Sequence, residues 1–96
     1  MERIRELGSE YKINGKTMVL ERHEMCKDGV RIRAIYVERG NDTNIEVQVL
    51  RLRNKHPKDE GMYDKIWLHP NNESWGKTGW SYRSIVNALI KYNSIE

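Results

Sequence analysis

The sequence has one cysteine, Cys26, two prolines, Pro57 and Pro70, and no stretch of 18 apolar residues. Each shortage excludes something. A lone thiol cannot close an internal disulfide, which points away from disulfide-stapled secreted domains and toward a reducing, cytoplasmic setting. Without a long apolar run nothing reads as a membrane-spanning helix, so no membrane partner is expected. Residues 1–12 are charged throughout and lack the apolar centre of a signal peptide. Charge of one sign is in short excess too. Lys and Arg total 17 against 14 Asp and Glu, a net charge of +3. The two signs are interleaved, so any basic patch has to be assembled by folding.

Signatures of chemistry are equally sparse. There is no nucleophile elbow, no His-Glu-x-x-His and no evident pair of carboxylates. Gly76-Lys77-Thr78 invites comparison with a phosphate-binding loop, but that motif needs a glycine five residues before Gly76, where Asn71 stands. His23 and Cys26 are spaced as H-x-x-C, with only His56 and His69 elsewhere, too few for the paired spacing of a zinc site. The expectation is therefore a protein that is not an enzyme, with no cofactor and no metal.

What is present is periodicity. The chain of 96 residues is expected to form a single domain over 1–96. Its apolar residues gather into short patterned runs, which argues against disorder. Asn14-Gly15 supplies the two positive φ values of a type I′ turn, predicting a hairpin between strands at 10–13 and 16–25. Asp28-Gly29 marks the next reversal. Two runs rich in β-branched residues follow, at 30–39 and 44–53, joined by Gly40-Asn41-Asp42-Thr43. A fifth strand is expected at 62–68. In residues 80–93, Tyr82, Ile85, Leu89 and Tyr92 recur at helical spacing, widened by Val86 and Ile90. Thr78 or Ser81 is the expected cap at its start and Asn93 its expected end. The fold class is α+β: a curved antiparallel sheet of four to five strands in meander order, packed by one C-terminal helix.

The apolar pattern of the two central strands changes sides. In the third strand Val30, Ile32, Ala34 and Tyr36 share one face, and Ile35 and Val37 the other. In the fourth, Ile45, Val47 and Val49 oppose Leu50 and Leu52. Either a β-bulge re-aims a strand in a curled sheet, or both faces are covered, the second by another subunit. A bulged, strongly curved sheet is the expectation.

Arginines carry the functional reading. Arg31 and Arg33 project together, as do Arg51 and Arg53, and antiparallel pairing brings the two pairs near each other. Lys55 and Lys58 follow in the next loop. Like charges placed opposite one another repel, so such a cluster calls for a bound anion or for nearby carboxylates; Glu21, Glu24 and Glu46 are available. Trp75 and Lys77, in the segment Trp75-Gly76-Lys77-Thr78-Gly79-Trp80, offer a stacking ring and a cation. The expected function is a small binding protein contacting DNA or RNA through Arg31, Arg33, Arg51, Arg53, Lys55, Lys58, Trp75 and Lys77. The alternative is a protein-interaction module: an inhibitor, an accessory subunit or a homodimer.

Overall fold

The structure is a computed structural model that describes residues 7–54, 65–70, 73 and 75–95. Six strands and one helix lie among them: β1 (Glu10–Ile13), β2 (Lys16–Met25), β3 (Arg31–Glu38), β4 (Asn41–Asn54), β5 (Lys65–Leu68), β6 (Gly79–Tyr82) and α1 (Ile85–Ser94). All strands join one antiparallel sheet in the order β1-β2-β3-β4, curled into a half-barrel. The turn chemistry is local. Asn14 and Gly15 have φ of 50° and 76°, the pair of positive values that a type I′ hairpin demands. At the next turn the Asp28 carboxylate accepts the backbone N–H groups of Val30 and Arg31, at 3.0 and 3.1 Å.

β4 is the longest strand, and two short strands share its outer edge. β6 pairs with Ile45–Gln48 and β5 with Arg51–Asn54, both antiparallel. They act as one strand interrupted by the segment 69–78. This is why the helix begins at Ile85 rather than at residue 80. Gly79–Tyr82 finds ladder partners along β4, and its i, i+2 spacing turns Trp80 and Tyr82 together onto one side. Ser84, in extended backbone, is the N-cap residue in place of Thr78 or Ser81, and α1 runs through Asn93 to Ser94. Of the strand expected at 62–68, residues 62–64 lie outside the described residues.

The sheet is strongly curved, as expected, but the change of sides in β3 and β4 does not come from a bulge at mid-strand. Register between β3 and β4 is unbroken from Arg31↔Arg51 to Val37↔Ile45. No bulge interrupts the middle of either strand. Both sheet faces are instead covered, and by this one chain. Met18, Ile32, Ala34, Tyr36 and Leu50 form a core on one face, joined by Leu7, Tyr11, Leu20 and Trp67. Ile35, Ile45 and Val47 form a second on the other, beneath Ala88 and Tyr92 of α1. A bulge does exist in β2, at Glu21, between Leu20↔Tyr36 and Arg22↔Ile35. One extra residue inverts the side-chain alternation beyond it. It carries Arg22 and Glu24 onto the helix face, where the end of α1 needs them.

Candidate binding surfaces

The four arginines lie on one sheet face, the same that carries α1. Arg31 and Arg51 are direct cross-strand partners, while Arg33 faces Val49 and Arg53 lies two residues beyond Arg51 along β4. Arg31, Arg33 and Arg53 are engaged by the chain itself. The Arg31 guanidinium donates to the Asp28 carboxylate. Arg33 donates through Nη1 to the carbonyls of Tyr92 and Ile95, both at 3.0 Å, and through Nη2 to Glu24 at 3.3 Å. Its guanidinium also lies 4.5 Å from the centre of the Tyr92 ring. A cation at a helix C-terminus satisfies carbonyls that have no intrahelical donor and complements the helix dipole. Glu24 completes the knot by accepting the Tyr92 hydroxyl at 3.0 Å. That bond, with the donors of Arg33 and Arg22, holds its carboxyl below the usual range. Arg51 is exposed, and among the described residues no carboxylate pairs with it. Lys55 and Lys58 lie outside the described residues.

The helix presents a second feature on this side. Ile85, Val86 and Ile90 are 46%, 62% and 65% exposed. The sequence pattern assigned them to the buried stripe, but only Ala88 and Tyr92 of the helix are fully buried. One helix over a curled sheet has contact for a single line of side chains, and the next line faces outward. The helix has no acidic residue in its first turn, Arg83 precedes it, and Lys91 stacks its ammonium 4.2 Å from the Trp80 ring centre. The apolar stripe is thus rimmed by positive charge.

The concave face holds a polar network that the sequence reading missed. Gln48, on the same side of β4 as Glu46 and Leu50, is 1% exposed. Its Nε2 donates to Glu46 Oε1 at 2.8 Å and to the Tyr11 hydroxyl at 2.6 Å. Tyr11 in turn donates to Glu46 Oε1 at 2.9 Å. Because the carboxylate is an acceptor only, the amide orientation is fixed: Oε1 of Gln48 must face His69 Nδ1, 2.8 Å away. That nitrogen therefore carries the proton. Burial pushes the His69 imidazole below its ordinary pKa, so the ring is neutral and Nε2 is left as an acceptor. Burial and the Glu46 charge push Tyr11 up, keeping its hydroxyl a donor. The rings pack closely: Tyr11 lies 4.2 Å from His69 and edge-on to Tyr36 at 4.9 Å.

Trp75 closes one wall of a cleft of about 240 Å³ beside this network. It is 38% exposed, and its Nε1 donates to Ser81 Oγ at 3.2 Å. A Cβ on Gly79 would stand only 2.5 Å from its ring. Lys77 is exposed in the turn that Gly76 and Gly79 close with a 2.6 Å backbone bond. Trp75 and Lys77 therefore sit apart from the four arginines, on the segment that joins β5 to β6. The one sequence signal for the network is polar placement. Glu46 and Gln48 alternate on the side of β4 that becomes apolar at Leu50, where a solvated face would give more polar residues.

Among the described residues no three His, Cys, Asp or Glu side chains are gathered as metal ligands. No described helix is long and apolar enough to cross a membrane. Comparison with protein-family models, with curated proteins and with solved structures gives no match.

Proposed function

We propose that this chain is a non-enzymatic binding protein of a reducing compartment such as the cytoplasm, and that it docks another protein on the outer stripe of α1. The observation that carries this reading is the exposure of Ile85, Val86 and Ile90 on one contiguous helix surface. Clustered apolar side chains at i and i+4 are what a helix offers to a groove. The cations of the helix and its start, Lys91 and Arg83, specify that groove: apolar at its floor and acidic at its edges. With Arg31 and Arg33 engaged internally, the arginine row contributes less free charge than its count implies.

The test compares the wild type with a Val86→Asp/Ile90→Asp variant as bait in the host lysate, with Arg83→Ala as a charge control. A single acidic protein should be retained by the wild type and lost with the double variant. Arg83→Ala should release it at lower salt. Equal retention by the double variant overturns the reading. A second reading, contact with DNA or RNA, draws on the exposed Arg51 standing opposite Arg31. Its mark is affinity for oligonucleotides that falls by orders of magnitude between ~50 and ~200 mM salt and is weakened by Arg51→Ala. Affinity that ignores salt removes it.

A further inference from the structure

The cleft on the concave face has an unusual chemical balance. Every donor of its network is consumed within the network. Both Gln48 amide hydrogens go to Glu46 and Tyr11, the Tyr11 hydroxyl goes to Glu46, and the Nδ1 proton of His69 goes to Gln48. What the network leaves for an occupant is acceptor capacity, the second oxygen of Glu46 and Nε2 of His69, beside the Ser81 hydroxyl, which accepts from Trp75 and keeps its own hydrogen to donate. Glu46 is part-buried, and no described cation lies within ion-pair distance of it. Lys16 lines the rim, but its Nζ reaches toward Glu38 at 3.8 Å. A half-buried carboxylate facing an aromatic-walled cleft selects for a cation.

Size and shape narrow the class. At about 240 Å³ the cleft falls below the ~300–1,000 Å³ of pockets that enclose drug-sized ligands. It has room for the head of a side chain and no more. Trp75 supplies a flat wall beside the mutually stacked Tyr11 and His69 rings, and the two free acceptors belong to separate side chains. A planar cation with several N–H groups satisfies a flat wall and separate acceptors together. An ammonium, with its compact charge and tetrahedral donors, does so less well. We propose that this cleft binds a guanidinium group, with Glu46 as its counter-ion, His69 Nε2 as a second acceptor and the Trp75 ring as the stacking surface.

The experiment is an NMR titration of the whole chain, following the side-chain amide of Gln48 and the indole N–H of Trp75. The probes are methylguanidinium, free arginine, N-acetyl-arginine amide, N-acetyl-citrulline amide and n-butylammonium. Methylguanidinium and the capped arginine should shift both signals saturably. The neutral citrulline isostere should bind at least about tenfold more weakly, since it removes the charge of one hydrogen-bonded partner. Butylammonium should also bind more weakly than methylguanidinium. The two arginine forms distinguish sources: preference for the capped form assigns the site to a peptide side chain, and preference for free arginine to the amino acid. Both retain the guanidinium and support the site. Glu46→Gln should cost at least about tenfold in affinity for the capped arginine. That variant removes a network acceptor and can unsettle the fold, so the arginine–citrulline comparison on the wild type stands as the deciding measurement. A flat titration, citrulline binding as tightly as arginine, or butylammonium binding as tightly as methylguanidinium overturns the proposal.

Discussion

Arg33 shows how much one side chain can be asked to do. It terminates α1 by donating to two carbonyls, pairs with Glu24 and covers the Tyr92 ring. Arg33→Met keeps much of the alkyl stem and removes every donor. The loss should be about 2 kcal/mol, the usual range for charge-assisted bonds whose acceptors stay part-buried. Urea denaturation checks it, and a change below ~0.5 kcal/mol would show that the helix end is held by packing alone. His69 gives a prediction with a sign. Its folded-state pKa lies below the ordinary 6.5, so the unfolded chain takes up a proton that the folded chain resists. Stability is then unaffected well above pH 6.5 and declines as pH falls below it, by at most about 1.4 kcal/mol per pH unit. The melting temperature of the wild type should fall between pH 7.5 and 5.5 more than that of His69→Asn, whose amide can replace the Nδ1–H donor. Parallel curves would contradict this. Neither role was legible in the sequence. Arg33 read as a free surface cation because its acceptors are backbone carbonyls some 60 positions away. His69 read as a lone histidine because its partner, Gln48, becomes inward-facing only through the curl of the sheet.

At the scale of elements, local rules served where the chain's own turns decide. The hairpin at Asn14-Gly15 and the second strand at 16–25 follow from alternation and turn chemistry, and β1 and β2 occupy those residues. The helix boundary failed because Tyr82 fits a helical stripe with Ile85 and Leu89 as well as a strand alternation with Trp80, and an unpaired edge of β4 settled the choice. The bulge at Glu21 is silent in the sequence, since Leu20-Glu21-Arg22-His23-Glu24 offers no residue that demands it. Gly79 is the opposite case, a position whose requirement is steric. A Cβ there would stand 2.5 Å from the Trp75 ring. Gly79→Ala should cost about 1–3 kcal/mol, as overpacking does, and should displace Trp75. Intrinsic fluorescence reports the second effect, and an unchanged spectrum with unchanged stability would mean that the ring is not seated on Gly79.

For the whole molecule, the governing fact is that a thin sheet is covered on both sides by one short chain. The sequence revealed this as an apolar pattern that changes sides, but not its cause, because a bulge, a partner subunit and a self-supplied cover leave the same trace. Coverage by a single helix also leaves Val86 and Ile90 outside, so Val86→Asp/Ile90→Asp should alter the unfolding free energy by no more than ~0.5 kcal/mol. A larger loss would return those side chains to the core. The shared edge of β4 has a further consequence. Leu68 pairs with Arg51 and Gly79 with Gln48, so both ends of the intervening segment are anchored three positions apart on one host strand, about 10 Å. Such a segment can be lengthened between Pro70 and Trp75 while its anchors, His69 on Gln48 and Trp75 on Gly79, stay in place, and doubling its length adds only about 0.6 kcal/mol of closure entropy. The fold thus carries a natural graft point, where new recognition loops can be installed while the scaffold beneath stays the same.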